Sequence, residues 1–192
     1  ESPPDIQPGA FKVNKASQHR RTYIGLVTRD NDTWEGMSQR LTSPIKRGEC
    51  YHFSIHLARS ENYVSISKTT RVEENFNKPV KLRVWGGNSF CNKKELLAES
   101  ELISHTHWEK YKFKFTSKGT YNYIFIEAFY KTPLLFTYNG NLLIDNCSTI
   151  TPCDQPIEEA KEERVDILAS NRKLNQPPKR TTPKKSTKPE KT

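Results

Sequence analysis

The chain has 192 residues, of which 33% are hydrophobic and 28% charged, and its formal net charge is +9. This length accommodates one domain of average size and a tail, and the absence of any run of about 18 apolar residues argues against a membrane-spanning helix. The basic excess lies mainly in residues 172–192, whereas residues 154–171 are acidic. Nucleic-acid-binding domains typically carry their basic residues on the folded part, so the charge distribution excludes nucleic acid as the expected partner.

Short segments with strand character recur between residues 22 and 150 and are separated by polar turns. The predicted strands are 22–28, 50–58, 80–85, 110–116, 121–130 and 142–150. Alternation is clearest at 50–58, where apolar and polar side chains fall on opposite faces. This spacing is typical of a sandwich or barrel, so we expect an all-β fold. Only residues 95–100 and 157–169 have the composition of helices.

The composition changes after Cys153. Residues 171–192 consist largely of Lys, Pro and Thr, and a segment with so few large apolar side chains cannot offset the entropy of ordering. We therefore divide the chain into a β-sandwich over 1–153, a short acidic segment with helical character over 154–170, and a disordered basic tail or linker over 171–192.

The sequence contains four cysteines, Cys50, Cys91, Cys147 and Cys153, without a C-x-x-C pair or zinc-finger spacing. An even number in a β-rich domain fits one or two disulfides in an exported protein. The alternative is four free thiols in a cytosolic protein. Four cysteines allow three complete pairings, and the sequence does not distinguish them.

Several motifs follow one another in an order that resembles carbohydrate-binding modules of the family 4/9/22 type. The matching residues are Tyr23, Leu26, Trp34, Gly36, Gln39, Leu41, Gly48, Tyr51 and Ser54, followed by Trp108–Tyr111 and Leu143–Asn146. The resemblance covers roughly residues 10–150. It implies a jelly-roll β-sandwich of the galactose-binding-like class.

A closer resemblance is to modules in exported proteins of the Bacteroidetes. It is carried by the segments Pro4–Gly9, Trp85–Gly87, Glu95–Ala98 and Tyr138–Asn141. In that group the module often precedes an OmpA-like peptidoglycan-binding domain. The resemblance therefore implies a location in the periplasm, at the outer membrane surface or outside the cell, with the C-terminal tail attached to a further envelope domain.

Sugar-binding modules stack the C–H face of a pyranose on an aromatic ring and place polar side chains beside it. Trp85 is the strongest candidate because it lies opposite the apolar face of its predicted strand, although a place in the core is the alternative. Trp34 lies in a polar loop, where it either forms a platform for the ligand or closes the end of the sandwich. The predicted polar partners are Arg83, His56 and Gln39, and Tyr138 is a further candidate.

Other aromatic and histidine side chains are weaker candidates. Trp108 matches a family position that usually serves packing, and we expect it to do so here. The pair His52 and His56 on a predicted strand, and the pair His105 and His107 in the loop before Trp108, have a spacing at which two imidazoles could bind zinc. No matching acid or cysteine is evident beside either pair, so a solvent-facing or groove-lining position is the favoured interpretation.

The resemblance implies one candidate cofactor, a structural calcium ion. In many modules of this fold the aspartate that matches Asp145 helps to bind Ca²⁺, together with backbone carbonyls and an acid near the N-terminus. Carbonyls near Ser17–Arg20 occupy the matching place here. Asp5 is the residue that could substitute for the N-terminal acid.

No sequence motif for catalysis is present: the chain has neither a Gly-x-Ser-x-Gly elbow nor a His-Glu-x-x-His pair nor a phosphate-binding loop. Glu127 stands inside an apolar strand, where a carboxylate needs a partner or a shifted pKa. We predict a non-catalytic glycan-binding module. The alternatives are a structural or protein-binding envelope domain without sugar affinity, a hydrolase with a noncontiguous site, and electrostatic attachment of the tail to an anionic polymer.

Overall fold

Two antiparallel β-sheets pack face to face in the computed structural model, which describes residues 3–157. The strands are β1 (Asp5–Gln7), β2 (Tyr23–Arg29), β3 (Thr33–Trp34), β4 (Gly36–Ile45), β5 (Cys50–Ala58), β6 (Val64–Ile66), β7 (Glu73–Asn75), β8 (Lys81–Gly87), β9 (Glu95–Glu99), β10 (Glu109–Thr116), β11 (Tyr121–Phe129), β12 (Gly140–Asp145) and β13 (Thr151–Pro152), and a 3-10 helix spans Ala10–Lys12. One sheet runs β1-β2-β12-β5-β10, with β3 beside β2 and β13 beside β5. The second runs β4-β11-β8-β9, and β6 pairs with β7.

The core lies between the two larger sheets and is built from alternate residues of their central strands. It joins Leu26, Phe53, Ile55 and Leu142 of the seven-stranded sheet to Leu82, Val84, Ile126 and Ala128 of the four-stranded sheet. Burial of these apolar side chains drives the association of the sheets. The predicted all-β jelly-roll sandwich is confirmed.

A second, smaller cluster contains Trp108. Its ring stands edge-on to that of Tyr23, with 5.1 Å between ring centroids, and its indole N–H donates to the carbonyl oxygen of Ala16 over 2.8 Å. The indole nitrogen, which costs free energy when buried without an acceptor, is thus satisfied. The predicted packing role of Trp108 is confirmed.

The predicted helix at residues 95–100 is wrong, because Glu95–Glu99 forms β9 and pairs with β8. Glu, Leu and Ala are good helix formers, but local helix propensity is small in energy, and pairing with a neighbouring strand overrides it. The predicted strand 142–150 is also too long. It ends at Asp145 because Asn146 has a φ of 45°, a left-handed conformation that ends regular pairing.

The chain passes from one sheet to the other at Glu35. Trp34 pairs with Thr28 of β2, whereas Gly36 pairs with Glu127 of β11 in the four-stranded sheet. The carboxylate of Glu35 is buried at the crossing, where it forms an ion pair with Arg29. The crossing brings Trp34 beside the four-stranded sheet.

One disulfide, Cys50–Cys153, joins β5 to the segment that follows β13, while Cys91 and Cys147 are not in disulfides. A disulfide is consistent with an exported protein. Within residues 3–157, no helix is long and apolar enough to cross a membrane. The predicted acidic segment, 154–170, lies outside the described residues from 158 onward. The predicted tail, 171–192, lies wholly outside them.

A candidate ligand-binding face on the four-stranded sheet

The four-stranded sheet carries a row of aromatic and charged side chains on the side that faces away from the core. Leu82 and Val84 of β8 point into the core, so Arg83 and Trp85 lie on the opposite side. The register between β8 and β11 places on that side the partners Glu127, opposite Arg83, and Phe125, opposite Trp85. Phe129 lies on the same side. We call this surface the aromatic face.

Glu127 is the centre of the aromatic face. Its side chain is only 1% exposed, and its carboxylate accepts the indole N–H of Trp34 over 2.6 Å and that of Trp85 over 2.8 Å. Lys93 forms an ion pair with the same carboxylate. A buried carboxylate is stable only when charged or polar donors surround it, and here three donors do so. Glu127 was predicted to need a partner because it stands in an apolar strand, and these three donors are its partners.

The ring of Trp34 is held from several sides. It meets Phe129 and Tyr130 edge-on, with ring centroids 5.1 and 6.0 Å away. The ammonium group of Lys93 lies 5.1 Å from the ring centroid, within cation–π range. Trp34 and Trp85 are both half-buried, so each ring keeps part of its surface in contact with solvent.

Arg83 is also fixed in place. Its Nε donates to Glu99 over 2.6 Å, and its guanidinium carbon lies 3.6 Å from the ring centroid of Phe129. Lys81 donates to the other oxygen of Glu99 over 2.9 Å. Partial burial alone would raise the pKa of Glu99, but the hydrogen bonds and positive charges of Lys81 and Arg83 outweigh it, and the pKa lies below its ordinary value.

A cleft of about 230 Å³ opens beside Trp34 on this face. Its walls include Asp32, Trp34, Cys91, Lys93 and Phe125. Gly36 forms part of the wall, and a Cβ atom at that position would lie 2.4 Å from Cζ of Phe125. A side chain at position 36 would therefore collide with the ring of Phe125, so glycine is required there.

Three of the six predicted ligand-binding residues come together on the aromatic face, namely Trp85, Trp34 and Arg83. His56 lies on β5 in the other sheet, where its neighbours Ile55 and Leu57 point into the core. His56 therefore points away from both the core and the aromatic face.

The remaining two predicted residues, Gln39 and Tyr138, are not part of the aromatic face. Gln39 pairs with Ile124, and the strand alternation places it on the side of the sheet opposite Trp85. The hydroxyl of Tyr138 donates to the carbonyl oxygen of Pro79 over 2.9 Å and accepts the backbone N–H of Lys131. Tyr138 thus serves to hold chain segments together, and its ring lies 5.3 Å from that of Tyr130, which in turn contacts Trp34.

Four residues of the aromatic face were not predicted as site residues, namely Glu127, Lys93, Phe125 and Phe129. The one available signal was the position of Glu127 within an apolar strand. Lys93 follows a turn, and no periodicity indicates that its side chain returns to the sheet. Only the folded arrangement of β3, β8 and β11 brings these groups together.

The surroundings of Asp145 bear on the predicted calcium ion. One carboxylate oxygen accepts the backbone N–H groups of Gln18 and His19 over 2.7 and 2.9 Å, and the other accepts that of Asn146 over 2.7 Å. Asp5 instead accepts a hydrogen bond from Tyr63. Amide donors occupy the oxygens that Ca²⁺ would need, so this donor set does not fit the ion as it stands. Calcium binding stays a prediction.

Neither a protein-family model nor a curated protein matches this chain. Among solved structures, it is similar to the CBM22-1 xylan-binding domain of Paenibacillus barcinonensis Xyn10C, at 11% identity and a TM-score of 0.44, over 78% of this chain and 80% of that one. A structure described as "CBM4 structure and function" is similar at 9% identity and a TM-score of 0.40, over 68% of this chain and 83% of that one.

A Stig cyclase from Fischerella sp. TAU is similar at 13% identity and a TM-score of 0.43, over 82% of this chain and 77% of that one. The three TM-scores are all below 0.5. The architecture of this chain therefore rests on its own strands and core, and its function on the geometry of its own site.

Proposed function

We propose that the domain binds a glycan on the aromatic face and does not catalyse a reaction. The observation that supports this function is the bonding of two half-exposed indole rings, Trp34 and Trp85, to the single buried carboxylate of Glu127. Sugar stacking needs aromatic rings that hold one orientation in water. Rings fixed before binding lose little conformational entropy when the ligand arrives.

The polar groups around the rings suit the hydroxyl groups of a sugar. Lys93 and Arg83 place charged donors beside Trp34 and Phe129, and Asp32 adds an acceptor at the wall of the cleft. Aromatic surface flanked by a few positioned donors and acceptors is the usual composition of such sites. The aromatic face therefore offers both components of glycan recognition.

We place this function outside the cytoplasm, in the periplasm, at the outer membrane surface or in the extracellular space. The disulfide Cys50–Cys153 supports export. Residues 171–192, rich in Lys, Pro and Thr, would connect the domain to a further part of the envelope.

The test is binding of the full chain to a broad glycan array that includes peptidoglycan fragments, with and without calcium. The Trp85→Ala and Trp34→Ala variants should each lose roughly thirtyfold in affinity, the effect of removing an interface anchor worth about 2 kcal/mol. Phe136→Ala is the matched control, because Phe136 is 84% exposed and is not part of the aromatic face. Unchanged affinity in both tryptophan variants would place the glycan site elsewhere.

A second candidate function is binding of another protein. Leu135 and Phe136 are 83% and 84% exposed, and Leu134 beside them is 38% exposed. They border a cleft of about 390 Å³ that also includes Tyr138 and Lys131. Contiguous exposed apolar side chains mark interaction surfaces. A blank glycan array from folded protein, with a protein partner lost in Leu135→Ser and Phe136→Ser variants, would favour this function.

A further inference from the structure

Three metal-ligating side chains converge where the chain enters β10, in the seven-stranded sheet rather than on the aromatic face. They are His105 and His107, from the preceding loop, and Glu109, the first residue of the strand. Their donor atoms all lie within 4.8 Å of one another. The two histidines therefore do have an acid beside them, Glu109, which was not predicted as their partner.

The distances suit a small tetrahedral ion. Nε2 of His105 is 3.3 Å from Oε2 of Glu109, and Nε2 of His107 is 3.8 Å from the same oxygen. Two ligands of a tetrahedral zinc ion, each bound at its usual distance, stand about 3.4 Å apart. One pair already has this separation. The two remaining pairs, His107 with Glu109 and His107 with His105, both involve His107, whose side chain is 73% exposed and can rotate to adjust them.

His105 is also oriented as a metal ligand. Its Nδ1 lies 2.8 Å from the carbonyl oxygen of His107. A carbonyl oxygen only accepts, so Nδ1 carries a proton, and Nε2, which faces Glu109 and the hydroxyl of Tyr111, is the ring nitrogen that can bind a metal ion. Metal-bound histidines typically donate their second ring nitrogen to such a carbonyl, which fixes the tautomer and the ring.

We propose that His105, His107 and Glu109 form a binding site for a divalent transition-metal ion, with zinc the ion that their chemistry suits. Two imidazoles and one carboxylate are a zinc ligand set, and three protein ligands leave the fourth position to water. The bound ion connects the loop before β10 to the first residue of this edge strand. The site is independent of the glycan-binding function.

The test is Zn²⁺ binding by the full chain, prepared without a histidine tag and stripped with a chelator. Isothermal titration at neutral pH should show one strong site per chain, and excess Zn²⁺ should raise the melting temperature. His107→Ala and Glu109→Gln should each weaken binding at least about tenfold. Both side chains are exposed, at 73% and 53%, so neither variant should fail to fold.

His52→Gln and His56→Gln are the matched controls, since both histidines lie on β5 and neither belongs to the cluster. Both should bind zinc as tightly as the unaltered chain. Replacement of Zn²⁺ by Co²⁺ gives a second measurement, because a tetrahedral cobalt site absorbs visible light and the cluster variants should lose that absorption. Absence of zinc binding, or affinity that is unchanged in the cluster variants or lost in the controls, would overturn the proposal.

Discussion

The indole N–H of Trp85 donates to the buried carboxylate of Glu127 across 2.8 Å, on the side of the four-stranded sheet that faces away from the core. Trp34 donates to the other oxygen of that carboxylate, although it reaches the sheet from β3, which pairs in the other sheet. Both rings therefore depend on one acidic side chain, and the position of Trp34 also depends on the crossing of the chain at Glu35. Any change to Glu127 acts on both rings together.

Replacement of Glu127 by alanine should lower the free energy of unfolding by about 3 kcal/mol, which urea denaturation would measure. The change leaves two indole N–H groups and the Lys93 ammonium without their shared acceptor. The loss falls at the low end for a broken buried pair because the Lys93 side chain is 31% exposed and gains water.

Glu127→Gln removes the charge of this side chain but keeps its shape, so it shows how much of the effect is due to charge. The amide keeps one acceptor oxygen, so we expect a smaller loss of stability than in Glu127→Ala, together with weaker glycan binding. Glu101→Ala, at an exposed position, is the control and should unfold like the unaltered chain. If Glu127→Ala proves as stable as that control, the carboxylate does not hold the two rings.

Gly87→Ala should displace Lys93 on the aromatic face indirectly, through the neighbouring residue Asn92. A Cβ atom at Gly87 would lie 2.0 Å from the carbonyl oxygen of Asn92, so the backbone next to Lys93 must move. Overpacking of this kind costs about 1–3 kcal/mol. We expect a lower melting temperature and weaker glycan binding, whereas Ser89→Ala, in the same turn but exposed, should change neither. Unaltered binding in Gly87→Ala would show that the position of Lys93 is not needed.

The strands could be predicted from the sequence where their periodicity is visible. Alternation along 50–58 and 80–85 indicates which side chains face the core, and the burial of Ile55 and Val84 agrees with it. That alternation also indicates that Trp85 faces away from the core. Residues 95–100 were misread, because the pairing of β9 with β8 is a tertiary effect that local composition does not contain.

The centre of the candidate site could not be predicted in the same way. The contacts of Glu127 span 93 residues to Trp34 and 42 residues to Trp85, and each depends on the register of strands that are distant in the chain. Shifting one strand by a single residue would move Glu127 to the other side of the sheet. His56 and Gln39 were grouped with Trp85 by residue type, whereas their strands place them on other surfaces.

Loss of the disulfide should destabilise the domain strongly. Cys50 and Cys153 are separated by 103 residues, and a bond that closes a loop of about this length typically adds roughly 2–5 kcal/mol. The double variant Cys50→Ser/Cys153→Ser should unfold at correspondingly lower urea concentration. Cys91→Ser, which removes a thiol outside the disulfide, should have little effect. Equal stability of the two variants would contradict a structural role for the bond.

Because of the ion pairs of Glu99, the free energy of unfolding should depend on pH. In the folded protein the pKa of Glu99 is lowered from its ordinary 4.5, against the opposing effect of burial, by Lys81 and Arg83. A lowered pKa means that the folded state favours the charged carboxylate. Its contribution is therefore present above pH 4.5 and is lost as the pH falls through the lower folded value.

Glu99→Gln tests this dependence. At neutral pH the variant should be less stable by about 1 kcal/mol, the size expected for a partly exposed ion pair, and the difference should shrink as the pH falls below the ordinary glutamate value. Urea denaturation across this range measures it, with Glu61→Gln, at an exposed position, as the control. A difference that stays constant with pH would mean that Glu99 stabilises the sheet by its packing rather than by its charge, and that Arg83 does not need this partner.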